Sequence, residues 1–212
     1  ARVHSPSIAR KADVGDRSVP ALAHLDDPTE EVDLLSGRTD GTLAYFRKPP
    51  SSTVFSEQTG AQNPFAAIDV GERSAPAIGG GIIPSTGNFV VGAANGTLRV
   101  YLLSTSFPAL PLPLLVATPL DALDFGDDAK PALADLDSDG DTDIVVGNAE
   151  GALAYIENLS VGSNLAFAVL SGADNPLDGI DVGSGAAPVF SNLDYDDGVG
   201  LLDDDLDLLV GN

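Results

Sequence analysis

Four segments of this chain share one frame. "DVGDRSVPA" starts at Asp13, "DVGERSAPA" at Asp69, "DFGDDAKPA" at Asp124 and "DVGSGAAPV" at Asp181. In each, the proline stands seven positions after the aspartate, and the starts lie 56, 55 and 57 residues apart. Two further landmarks keep the same order. "SGRTDGTLAYF", "GAANGTLRVY" and "GNAEGALAYI" follow the proline at a similar distance, and "NPFAAID", "TPLDALD" and "NPLDGID" come just before the next start. A period of this size constrains the fold more than composition does. Each unit is one supersecondary block that buries its faces only by stacking on its neighbours.

The blocks read as strands. "PALADL" alternates and ends in a polar loop, and "DIVVGN" is a β-branched run closed by glycine, as in a strand covered on both faces. "EGALAYIEN" opens with a turn and alternates again, and a looser fourth segment follows, such as "TVFSEQ" or "AFAVLS". About four strands in about 56 residues is the signature of a propeller blade. The expected fold is therefore all-β, with propeller-type blades of about four antiparallel strands and almost no helix. The blades are expected to form a partial or open propeller of about 3.5–4 blades. All lie in one domain: repeats at 13–68, 69–123, 124–180 and an incomplete one at 181–212. Residues 1–12 are an N-terminal extension or a strand that closes the ring. An incomplete fourth blade leaves strand edges open, so a protein partner is expected there.

The third repeat holds the most specific motif. In "DLDSDGDTDIVVGN", Asp135, Asp137, Asp139, Asp141 and Asp143 alternate over nine residues. Two like charges ~4 Å apart repel by roughly 4 kcal/mol at an effective dielectric of ~20, so the crowding calls for a cation. Calcium takes six to eight oxygens, and a tight loop with oxygens at positions 1, 3 and 5 aims them at one centre. Asp135, Asp137 and Asp139 hold those places, and Gly140 permits the sharp turn. Asp141 offers its backbone carbonyl, and Asp143 returns a carboxylate from the start of the next strand. The loop is not an EF-hand, because position 12 is Val146 and a strand follows. The absence of cysteine and the presence of only His4 and His24 argue against zinc or copper.

The equivalent loops differ. "HLDDPTEEVD" in the first repeat keeps Asp26 and Asp33 but begins with His24, and reads as an empty polar loop. "GGGIIPSTGN" in the second carries no carboxylate. "NLDYDDGVGLLDDDLD" in the fourth places Asn192, Asp194 and Asp196 at positions 1, 3 and 5, with Asp207 before the strand. Those four residues form a second candidate metal site.

Alternating aspartates, a glycine, a further aspartate, an apolar strand ending in glycine, and "G-x-L-x-Y" together resemble the FG-GAP repeat, also called VCBS. This is the repeat of the integrin α-subunit β-propeller, of some fungal propeller lectins and of long secreted microbial and algal arrays. The resemblance covers residues 13–212 and is sharpest in the third repeat. It implies calcium bound by Asp135, Asp137, Asp139, Asp141 and Asp143, in a binding or structural module that is extracellular or on the cell surface and not an enzyme. Placement in an organelle lumen, as an accessory subunit of a larger complex or filament, is the other setting considered. The repeat number departs from the family, whose complete propellers commonly have seven blades.

Charge narrows the partners. The chain carries 32 acidic and 10 basic residues, a net charge of −22, which excludes nucleic acid and disfavours anionic membranes. No apolar run is long enough to insert in a membrane: the longest, Phe107 to Leu123, is broken by Pro108, Pro111, Pro113 and Pro119. No hydrolase or phosphate-binding motif occurs. The second reading of function, a carbohydrate-binding propeller, needs aromatic platforms. Without tryptophan only Tyr45, Tyr101, Tyr155 and Tyr195 offer tyrosine rings, and Tyr45 and Tyr155 sit where core packing is expected. Sequons at Asn95 ("NGT") and Asn158 ("NLS") are candidate glycosylation sites.

Overall fold

The computed structural model describes residues 14–25, 31–80, 87–103, 113–162, 164–192 and 206–212. Their strands form four antiparallel sheets, each from consecutive strands. The first contains β1 (Val19–Ala23), β2 (Asp33–Gly37), β3 (Leu43–Arg47) and β4 (Ser56–Gln58). The second contains β5 (Ala75–Gly80), β6 (Gly87–Gly92), β7 (Leu98–Leu103) and β8 (Pro113–Val116). The third contains β9 (Lys130–Ala134), β10 (Asp143–Gly147), β11 (Leu153–Asn158) and β12 (Phe167–Leu170), and the fourth pairs β13 (Ala187–Ser191) with β14 (Asp207–Gly211). Three short 3-10 turns, at Gly60–Gln62, Pro119–Ala122 and Gly172–Asp174, are the helical elements among the described residues.

The first strands of the sheets lie innermost: β5 packs on β1, β9 on β5 and β13 on β9. Among the described residues no packing of comparable extent joins β13 back to β1. The sheets are blade-like, and the described residues do not close a ring. Each inner strand is also the edge of its sheet, and its second residue is proline: Pro20, Pro76, Pro131 and Pro188. Proline has no N–H for a ladder, so it suits an edge and prevents further pairing there.

The core lies between the sheets. Leu35 and Tyr45 from the first sheet meet Phe89, Val91 and Tyr101 from the second across Phe65. Ring contacts run in series from Tyr45 to Phe65 to Phe89 to Tyr101, with centroids 5.6, 5.6 and 5.0 Å apart. Val90, Leu98 and Val100 meet Ile144, Val146 and Ile156 between the second and third sheets. Val145, Leu153, Tyr155 and Ala186 form the third interface. Every residue of β10 is buried, which is why "IVVG" after Asp143 reads as a continuous apolar run and not as an alternating one.

The shared "DVG" frame is the clasp between sheets. Val70 N–H donates to Gly41 O, Arg73 N–H to Thr39 O and Ser74 N–H to Arg38 O, all within 3.0–3.1 Å. The same three bonds recur from Phe125, Asp128 and Ala129 to the second sheet, and from Val182, Gly185 and Ala186 to the third. At about 0.5–1.5 kcal/mol net each, one clasp contributes a few kcal/mol. The approach is close enough to require glycine on the facing strand. A Cβ on Gly37, Gly92 or Gly147 would lie 1.8, 2.0 or 2.5 Å from the carbonyl oxygen of Ser74, Ala129 or Ala186.

Candidate metal centre

The Asp-rich segment is the connection between β9 and β10. Register pairs Asp143 with Ala134, so residues 135–142 close a hairpin at one end of the third sheet. Within it, carboxylate oxygens of Asp135, Asp137 and Asp139 all lie within 4.8 Å of one another, and all three side chains are exposed. Oxygens bound to one calcium at about 2.3–2.6 Å lie at most about 4.6–5.2 Å apart, so this spacing fits a shared ion. The donor set is entirely hard oxygen, which suits calcium and not a transition metal.

The loop's own backbone fixes these carboxylates. Gly140 N–H donates to Asp135 Oδ2 at 3.1 Å, Asp139 N–H to Asp137 Oδ1 at 3.1 Å, and Asp141 N–H to Asp139 Oδ1 at 3.0 Å. Ser138 and Gly140 take positive φ angles of 64° and 94°, which turn the chain around the centre. Each carboxylate keeps acceptor capacity for a cation.

Asp141 stands beside the three. Its Oδ1 is shielded from solvent and has no hydrogen-bond partner among the described residues. Burial, followed by the charges of Asp139, Asp143, Asp137 and Asp135, pushes its carboxyl up to about 6. An added divalent charge would reverse that pressure. The sequence reading assigned Asp141 a backbone role; its side chain also belongs to the electrostatics of the loop.

Asp143 is held differently. It is 1% exposed. Its Oδ2 accepts from Leu136 N–H at 3.1 Å and from the Tyr155 hydroxyl at 3.0 Å, and its Oδ1 accepts from Asn158 N–H at 2.8 Å. Burial raises its pKa, while the bonds from Asn158, Leu136 and Tyr155 pull it back. Burial and the Asp143 carboxylate push the Tyr155 hydroxyl well above its ordinary range. Asp143 thus anchors the loop to β11.

The same anchor occurs in the first sheet. Asp33, fully buried, accepts from the Tyr45 hydroxyl at 2.9 Å and from Lys48 N–H at 2.9 Å. The second sheet has Asn88 and Val100 at these two places. The acid and its tyrosine are replaced together in the repeat whose loop has no carboxylate. Tyr45 and Tyr155 pack in the core as their place in the strands implies, and their hydroxyls also hold Asp33 and Asp143. The signal was present as an Asp-to-Tyr spacing of 12 residues in the first and third repeats.

The remaining candidates divide. Asn192 follows β13 and Asp207 opens β14, but Asp194 and Asp196 lie outside the described residues, as does Asp26. Asn95 is exposed in the β6–β7 turn, where its Oδ1 accepts from the Thr97 hydroxyl at 2.8 Å. Asn158 is fully buried, and its Nδ2 donates to Thr142 O at 3.1 Å. A glycan there would displace the amide from the core, so the folded chain does not present this sequon. Tyr45, Tyr101 and Tyr155 are 1%, 7% and 4% exposed and offer no stacking face, and Tyr195 lies outside the described residues. No helix among the described residues is long and apolar enough to cross a membrane. No protein-family model matches the chain, and no curated protein matches it.

Proposed function

We propose that this chain is a non-catalytic, calcium-stabilised module of the FG-GAP type that works as an adhesion, scaffold or assembly surface. The observation that carries the reading is the convergence of Asp135, Asp137 and Asp139 on one point of a loop tied by Asp143 to the adjacent strands. These three side chains would hold the ion, which neutralises their repulsion and clamps the β9–β10 connection. Sites of this kind suit an extracellular or cell-surface setting, where calcium is plentiful and dissociation constants of about 10⁻⁴–10⁻³ M suffice. The partner is a protein. Leu114 and Leu115 on β8 and Val169 on β12 support this, since they are 65%, 53% and 48% exposed on outer strands.

Two measurements test the reading. Thermal unfolding with and without calcium should show a rise in melting temperature on calcium addition, abolished by chelation. Cross-linking or native mass spectrometry with material from the source should recover a complex that Leu115→Asp weakens. A melting curve indifferent to calcium removes the metal claim, and a strictly monomeric, partnerless chain removes the scaffold claim.

A further inference from the structure

The inner strands line a half-open bore, with residues of β1, β5, β9 and β13 around it. Its cavity of about 470 Å³ is lined by apolar side chains of all four sheets, among them Leu22, Ile78, Leu133, Val189 and Phe190. At the end where the inner strands begin, it opens into a mouth of about 490 Å³. The two spaces share Val19, Pro20, Lys130 and Ala187, so one leads into the other. Both volumes fall within the usual range of small-molecule sites, about 300–1,000 Å³.

The mouth is cationic in a chain of net charge −22. Arg17, Arg73 and Lys130 line it against one acid, Asp128. The acids at the preceding repeat position, Asp16, Glu72 and Asp127, are exposed and do not line it. Arg73 bonds to Asp128, and Lys130 Nζ donates to Gly185 O at 3.1 Å, which holds both cations at the rim. Arg17 makes no side-chain hydrogen bond or ion pair among the described residues. Arg17, Arg73 and Asp128 take positive φ angles of 54°, 48° and 58°, at the repeat position where the fourth sheet has Gly185 with φ 68°.

We propose that the bore and its mouth bind a small amphipathic carboxylate, with its head between Arg17, Arg73 and Lys130 and its apolar tail between Leu22, Ile78 and Phe190. Charge complementarity selects the head, and the apolar lining selects the tail. The inference does not depend on calcium at the loop between β9 and β10.

Calorimetric titration of the whole chain with octanoate tests it, with octanol and acetate as probes that lack the charge and the tail. Octanoate should bind at least about tenfold more tightly than either, the factor that corresponds to ~1.4 kcal/mol. Arg17→Gln combined with Lys130→Gln should weaken octanoate by about tenfold or more, with the calcium response unchanged. Leu22→Asp, at a side chain 60% exposed, places a charge in the bore without disturbing the core and should weaken it as much. It decides the matter if the double variant does not fold. Failure of octanoate to bind, equal binding of octanol, or indifference to Leu22→Asp would overturn the proposal. So would self-association that octanoate abolishes, since the carboxylate would then come from a second copy.

Discussion

Tyr155→Phe isolates the anchor of the Asp-rich loop. The ring stays in the interface with the fourth sheet, and only the hydroxyl is lost. That hydroxyl donates to Asp143 Oδ2 at 3.0 Å, leaving the carboxylate with the N–H groups of Leu136 and Asn158. A hydrogen bond to a charged, buried acceptor contributes about 1.5–3 kcal/mol, so a loss of about 2 kcal/mol is expected. In a chain of this length, that lowers the melting temperature by roughly 4–8 °C. The pH dependence follows from the Asp143 carboxyl, which burial already raises and the hydroxyl helps to lower. Without the hydroxyl its pKa climbs further. A carboxyl with a raised native pKa binds more protons in the folded than in the unfolded state, so it costs stability as pH rises past that pKa. The deficit of the variant should therefore be larger at about pH 7.5 than at about pH 4. Chemical denaturation of wild type, Tyr155→Phe, Asp143→Asn and the double variant gives the coupling directly. A Tyr155→Phe effect below about 0.5 kcal/mol, or additive single effects, would refute the reasoning.

Tyr45→Phe should cost a similar amount, read by the same denaturation, because Tyr45 holds Asp33 at 2.9 Å in the first sheet. With Asp141 held up to about 6 against an ordinary 3.8, metal-free stability should fall by roughly 1 kcal/mol, after allowing for solvent screening, as pH rises through that interval. Asp141→Asn should remove that slope in metal-free melts and raise stability at about pH 7.5. Gly147→Ala should destabilise by roughly 1–3 kcal/mol, since its Cβ would lie 2.5 Å from Ala186 O. Gly211→Ala, whose Cβ would meet nothing nearer than 3.9 Å, is the control and should be close to neutral in the same melts.

Some of this was legible in the chain and some was not. The period, the strands at "DIVVGN" and "EGALAYIEN", and the Asp loop are local patterns of spacing, and spacing is what a sequence displays. Gly147 reads as the end of a strand in "DIVVGN", but its reason, shared by Gly37 and Gly92, is a carbonyl from the next sheet. That approach depends on how the sheets stack, which no single repeat encodes. The Asp143–Tyr155 bond depends on register, since β10 and β11 pair Val145 with Tyr155 and so bring Asp143 near the hydroxyl. The burial of Asn158 was not legible, because a three-residue sequon carries no information on burial. The cationic mouth is not legible in the chain, because Arg17, Arg73 and Lys130 are far apart in sequence and meet only at the axis.

The central claim is that Asp135, Asp137 and Asp139 hold a calcium ion that stabilises the chain. Calorimetric calcium titration of wild type and of the combined Asp135→Asn, Asp137→Asn and Asp139→Asn variant tests it most directly, because loops in other repeats contribute equally to both. The account predicts one more bound calcium in the wild type and a larger rise in its melting temperature at saturation. Equal stoichiometry and equal melting shifts in the two proteins would contradict it.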